Sequence, residues 1–176
     1  MSSGITYSGY EQTLEGILDD LKHIRSRIES KGIALNPSCR LSHFEREIQK
    51  TIVARNNNLP PSDVNWSLLT EGYRDVNELK LITSSDCVLD GGLPILRQVI
   101  GGTVMPSNDN NSIARDKQFE LYLATVLERS GFEVSLEEPD ILFTANSRTY
   151  SLAAKRVKSV QKIAKRYREA IQQVKR

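Results

Sequence analysis

The chain is poor in the residues that mark specialised classes. It has two cysteines, Cys39 and Cys87, far apart and without a CxxC pair, so neither a disulfide framework nor a thiolate zinc site is indicated. A reduced, cytoplasmic protein is the expectation. His23 and His43 stand apart from any Cys or Asp/Glu cluster with zinc spacing. No apolar run approaches the ~20 residues that span a bilayer. The start, Met1-Ser2-Ser3-Gly4-Ile5-Thr6, has no basic region followed by an apolar stretch, so a secretory signal is not expected. Gly91-Gly92 and Gly101-Gly102 form neither GxGxxG nor a P-loop, and no GxSxG occurs. Nucleotide binding and serine-hydrolase chemistry are therefore unsupported, and these glycines read as helix ends.

What is present is ordinary in amount and uneven in placement. Hydrophobic residues make up 39% and charged residues 26% of 176 positions, a globular composition for one domain or two small ones. The net charge of +2 hides a polarity. From Lys155 to Arg176 nine bases face one acid, Glu169, a balance of +8, whereas the preceding 154 residues hold 15 bases and 21 acids, a balance of −6. Such a basic end suits a polyanion, and equally suits a solvated helix face.

The apolar pattern predicts helices first. Leu14, Ile17, Leu18, Leu21, Ile24 and Ile28 recur at helical steps, predicting a helix from about Gly9 to Lys31 that Gly32 ends. Ser42 and Glu45 have capping-box spacing before Phe44, Ile48 and Ile52. Asn56 to Pro61 breaks the pattern. Trp66, Leu69, Tyr73, Val76, Leu79 and Ile82 form the next apolar side, followed by Leu93 to Ile100 between the glycine pairs. Residues 1–102 are thus expected to be all-helical, and the turn-rich stretch 103–112 to be a linker.

After the linker the period changes. Ile113, Phe119, Leu123, Val126 and Leu127 mark a helix ending at Gly131. Phe132, Val134 and Leu136 alternate as a half-buried strand does, Ile141-Leu142-Phe143 follows Pro139, and Tyr150 to Ala154 supplies a third strand. Ser159 is placed to cap a last helix with the stripe Val160, Ile163, Ala164, Tyr167, Ile171 and Val174, expected to be buried. The fold class is α+β, with αβββα order over 113–176.

A hairpin turning at Asn146-Ser147 pairs residues whose numbers sum to 293, which sets Asp140 opposite Ala153. Lys155 lies two residues on, on the same side of the strand, so Asp140 and Lys155 can share one corner. Glu120, one turn after Asp116, can point toward it. Each also has a plain reading: a strand-start Asp140, a Lys155 that opens the basic surface, and a Glu120 paired on an exposed helix with Lys117.

Glu120, Pro139-Asp140 and Ala153-Ala154-Lys155 in this order resemble the PD-(D/E)xK superfamily of restriction-endonuclease-like nucleases, over 113–176. The segment Arg115 to Leu121 is similar to the helix that opens such domains. The resemblance implies phosphodiester hydrolysis of DNA, with Asp140 and Glu120 on Mg²⁺ or Mn²⁺ and Lys155 on the attacking water or the phosphate. It also implies a role in restriction or defence against foreign DNA. The helical region would then serve dimerisation, target recognition or contact with a partner protein. Lys158, Lys162, Lys165, Arg166 and Arg168 flank the apolar stripe of the last helix, suiting backbone-phosphate contact.

The sequence departs from that family's pattern at one position. Ala153 occupies the (D/E) place and cannot bind a cation. Three accounts are open: Glu120 has taken over, the site has become a binding or interaction module without cleavage, or Ala153 is an introduced inactivating change. The last helix runs in pattern to Arg176 with no strand after it, so the expectation is a truncated nuclease core.

Overall fold

A computed structural model describes residues 13–58, 64–105, 112–157 and 159–174. Five helices come first: α1 (Leu14–Ser30), α2 (Arg40–Asn56), α3 (Trp66–Ile82), α4 (Asp86–Gly91) and α5 (Leu93–Ile100). Then α6 (Ile113–Arg129) leads into β1 (Glu133–Ser135), β2 (Ile141–Ala145) and β3 (Arg148–Leu152), and a 3₁₀ turn at Val160–Lys162 opens α7 (Ile163–Val174). The protein is a helical region joined to a small three-stranded antiparallel sheet in the order β1-β2-β3. No helix among the described residues is long and apolar enough to cross a membrane.

The α1 stripe is buried as its spacing predicts: Ile17, Leu21, Ile24 and Ile28 enter one core with Phe44, Ile48, Val76, Leu79 and Ile82. Thr13 caps α1 by accepting from the Gly16 amide at 3.1 Å, and the expected start near Gly9 lies outside the described residues. At its other end Gly32 has φ +75°, which lets the Gly32 amide donate to Glu29 O (2.9 Å) and the Ile33 amide to Ile28 O (3.4 Å). This is a Schellman end, and it tucks Ile33 into the core. Gly131, with φ +87°, closes α6 the same way.

Four local expectations are corrected. Ser42 caps nothing: it sits inside the first turn of α2, which begins one residue after Cys39. Its hydroxyl accepts from Arg25 Nη2 at 3.1 Å, and Glu45 takes the same guanidinium at 2.8 Å, so the spacing serves a bridge from α1 to α2. Trp66 and Tyr73 lie at the rim of the α3 stripe, 60% and 43% exposed. The α7 stripe is also not buried: Val160 is 79% and Tyr167 66% exposed, because no element of the described chain covers that side. Ser159 makes no side-chain cap, and the helix begins as a 3₁₀ turn instead.

The face that α6 buries is the most informative departure. Ile113 and Val126 are exposed, while Arg115, Gln118, Glu120, Leu121, Ala124 and Thr125 are buried. The helix is sandwiched: one side packs on α3, α4 and α5, the other on β1 and β2. Against α3 the contact is ionic. Asp75, fully buried, takes Arg115 Nη1 at 3.2 Å and lies 3.3 Å from Arg40 Nη1. Gln118 donates to Asp75 Oδ1 (3.3 Å) and to Glu78, and accepts from Arg40. Arg115 Nη2 also donates to Val104 O at 3.1 Å. Of the stretch 103–112, residues 106–111 lie outside the described residues.

The strand register follows the turn. Ile141 pairs with Leu152 and Ala145 with Arg148, so partners sum to 293 as the Asn146-Ser147 turn requires. Both turn residues have positive φ, 51° and 60°, the geometry of a two-residue hairpin loop with the sheet's own twist. Asn tolerates it, but Ser is the costlier residue there. Ser147→Gly should therefore raise stability by about 0.5 kcal/mol, the relief of left-handed strain less the glycine entropy cost. Urea unfolding of the two proteins checks it, and a loss of stability would contradict that reading of the turn.

Candidate active site

The corner expected from the register forms just beyond the ladder. β2 begins at Ile141, which is fully buried, and this anchors Asp140 at the strand mouth. β3 stops at Leu152, one residue short of Ala153. The Asp140 carboxylate replaces the missing ladder contact: Oδ2 accepts from the Ala154 amide at 2.9 Å and from Lys155 Nζ at 3.1 Å. Oδ1 accepts from Gln173 Nε2 at 2.8 Å, a contact made from the far end of α7. The Asp140 side chain is 5% exposed and that of Lys155 21%.

Glu120 reaches the same neighbourhood from α6. It is 4% exposed and its Oε2 accepts from Lys117 Nζ at 2.6 Å, so the expected pairing exists but on a buried side chain. Burial pushes its carboxyl above the usual range. The hydrogen bond from Lys117 opposes this, the Asp140 charge adds to it, and Lys117 and Lys155 pull it down. Glu120 and Asp140 thus sense each other's charge without sharing a hydrogen bond. Both line an open cleft with Glu137, Glu138 and Lys117.

The sign of the pH effect on Glu120 follows from that raised pKa. A carboxyl easier to protonate folded than unfolded contributes stability below the unfolded pKa, and loses it as pH rises through the folded one. Glu120→Gln should therefore gain on the wild type as pH is raised from about 4 to 7. Thermal unfolding across that range tests it, and a gap that stays constant or narrows would contradict the burial argument.

The basic residues divide. Lys162, Lys165 and Arg168 are exposed on α7 and its 3₁₀ turn. Arg166 is not available in the same sense: Nη1 meets Glu169 at 3.1 Å and Nη2 meets Asp116 Oδ2 at 3.4 Å, tying α7 to the start of α6. Lys158 lies outside the described residues. Gln173 was invisible in the sequence, since a lone glutamine 33 positions from Asp140 carries no local signal.

A divalent metal at this corner would need hard oxygen donors in sufficient number. The described residues contain no group of three or more His, Cys, Asp or Glu placed to hold one. Both Asp140 oxygens already accept from protein donors, and Ala153 supplies none. As arranged, the residues do not fit a metal centre. What they do form is a lysine held against a buried carboxylate at the foot of a cationic helix. Comparison of the chain with family models, with curated proteins and with solved structures gives no match.

Proposed function

We propose that the chain is a nuclease-like protein of the PD-(D/E)xK type that acts on DNA by binding its phosphates, keeping the scaffold of the cleavage site without a complete metal set. The observation that carries this reading is the ion pair of Lys155 with Asp140, 3.1 Å across, at the base of a helix that leaves Lys162, Lys165 and Arg168 in solvent. A restriction-endonuclease-like core for residues 113–176 belongs to the same proposal, supported by the αβββα order and the hairpin register. Backbone phosphates would meet the exposed cations of α7. Lys155, once drawn from Asp140, would meet the phosphate nearest the strand mouths.

Metal-dependent hydrolysis is the second reading, favoured by one observation: Glu120 is a buried carboxylate that senses both Asp140 and Lys155. A nicking assay on supercoiled plasmid with Mg²⁺ or Mn²⁺ separates the two. The first reading expects no metal-dependent nicking by the wild type and none by Asp140→Ala, Glu120→Ala or Lys155→Ala. It expects nicking to emerge in Ala153→Glu, where a third carboxylate is supplied. Wild-type nicking that is lost in all three alanine variants would establish hydrolysis and overturn the first reading.

A further inference from the structure

Lys155 and Arg156 are adjacent cations with different destinations. Lys155 goes to Asp140, whereas Arg156 lines a separate cavity of about 160 Å³ with Arg74 and Glu78 of α3 and Arg115, Gln118 and Phe119 of α6. That is smaller than the ~300–1,000 Å³ of clefts that hold drug-sized ligands, and suits a small anion. Most charges around it are accounted for. Arg74 pairs with Glu71, Arg115 pairs with Asp75, and Glu78 accepts from Gln118.

Arg156 is the exception. Its Nη1 is buried without a hydrogen-bond partner, and among the described residues the side chain meets no carboxylate at ion-pair distance. Arg115, 5% exposed, likewise keeps its Nε buried without a hydrogen-bond partner. A guanidinium cannot shed its proton to escape this cost, as a lysine would. Partly desolvated positive charge is balanced only by an anion. The planar fork of an arginine matches the paired oxygens of a phosphate, and three such forks, from α3, α6 and the segment after β3, surround this cavity.

We propose that this cavity is a phosphate-binding site, with Arg156 and Arg74 as its charged donors and Arg115 and Gln118 at its floor. Phe119 supplies an apolar wall that limits hydration of the bound group. Glu78 is the opposing charge, and it makes the site selective for a ligand that can be held by two arginines at once. The site stands apart from Asp140 and does not depend on cleavage. The phosphate can come as free phosphate or as the end of a nucleic-acid strand.

The test uses the full chain at fixed ionic strength, titrated with inorganic phosphate against a chloride control and followed by calorimetry. Saturable binding is expected in the wild type. Arg156→Ala should abolish it. Arg156→Lys and Arg74→Ala, which guard against a folding defect in the first variant, should each weaken it severalfold. Glu78→Gln should tighten binding, since a repulsive charge is removed. Equal phosphate binding in the wild type and Arg156→Ala, or weaker binding in Glu78→Gln, would overturn the proposal. Competition by a 5′-phosphorylated decanucleotide, but not its 5′-hydroxyl form, would assign the site to strand ends. Binding of inorganic phosphate without such competition would assign it to the free anion.

Discussion

Asp75→Ala should cost about 3–5 kcal/mol, the range for removing one partner of a buried ion pair. Asp75 is fully buried and is shared by two guanidiniums, Arg40 and Arg115, that reach it from α2 and α6. Gln118 adds a hydrogen bond to Asp75 Oδ1 at 3.3 Å. Deleting the carboxylate withdraws the common partner of all three while the arginines stay charged in the interior. Set against a total stability of roughly 5–15 kcal/mol, the loss is a large fraction. In a chain of this length it should appear as a fall in Tm of about 6–20 °C. Replacing Arg40, Asp75 and Arg115 together by Met, Leu and Met should cost less than Asp75→Ala alone, because no charge is left behind. Thermal and urea unfolding of both variants decide it. A single variant within about 1 kcal/mol of wild type would show that the network contributes little beyond its shape.

The second large effect concerns α7. Changing Lys162, Lys165 and Arg168 together to Gln removes three exposed cations and leaves the ties of Arg166 to Asp116 and Glu169 in place. Each phosphate contact releases a counterion and contributes about 0.9 to the slope of log affinity against log salt. The triple variant should therefore bind duplex DNA with a slope shallower by about 2–3, and with much reduced affinity at low salt. Fluorescence anisotropy from 50 to 200 mM salt measures both. Unchanged slope and affinity would remove α7 from the interface. Because the three side chains are solvent-exposed, stability should hardly move, which separates this outcome from unfolding.

The parts of the fold that the sequence made legible are those governed by local rules. The α1 stripe, the glycine ends at Gly32 and Gly131, and the hairpin register all depend on residues close together in the chain. That register alone sets Asp140 and Lys155 in one corner. The contacts that escaped depend on distant partners. The buried face of α6 is polar because its arginine and glutamine meet Arg40 and Asp75, about one half of the chain away in the first case. A hydrophobic pattern cannot announce such a face, so the visible apolar residues Ile113 and Val126 pointed to the wrong side. Ser42 and Glu45 show the same limit: capping-box spacing also fits two acceptors on neighbouring turns, and Arg25 uses both.

At the candidate site the sequence identified the polar cast but not its state. Whether Asp140 offers free oxygens depends on the Ala154 amide and on Gln173, neither of which any motif specifies. Glu120 looked like an exposed helix residue with a local partner. Its burial, and hence its raised pKa, come from the sandwiching of α6 between helices and sheet.

The most direct test of the account is amide chemical-shift mapping of the full chain during titration with a short DNA duplex. The account predicts perturbations concentrated at Asp140, at Ala154 to Arg156 and along α7. Perturbations confined to α1, α2 and α3, or none at all at saturating duplex, would contradict it.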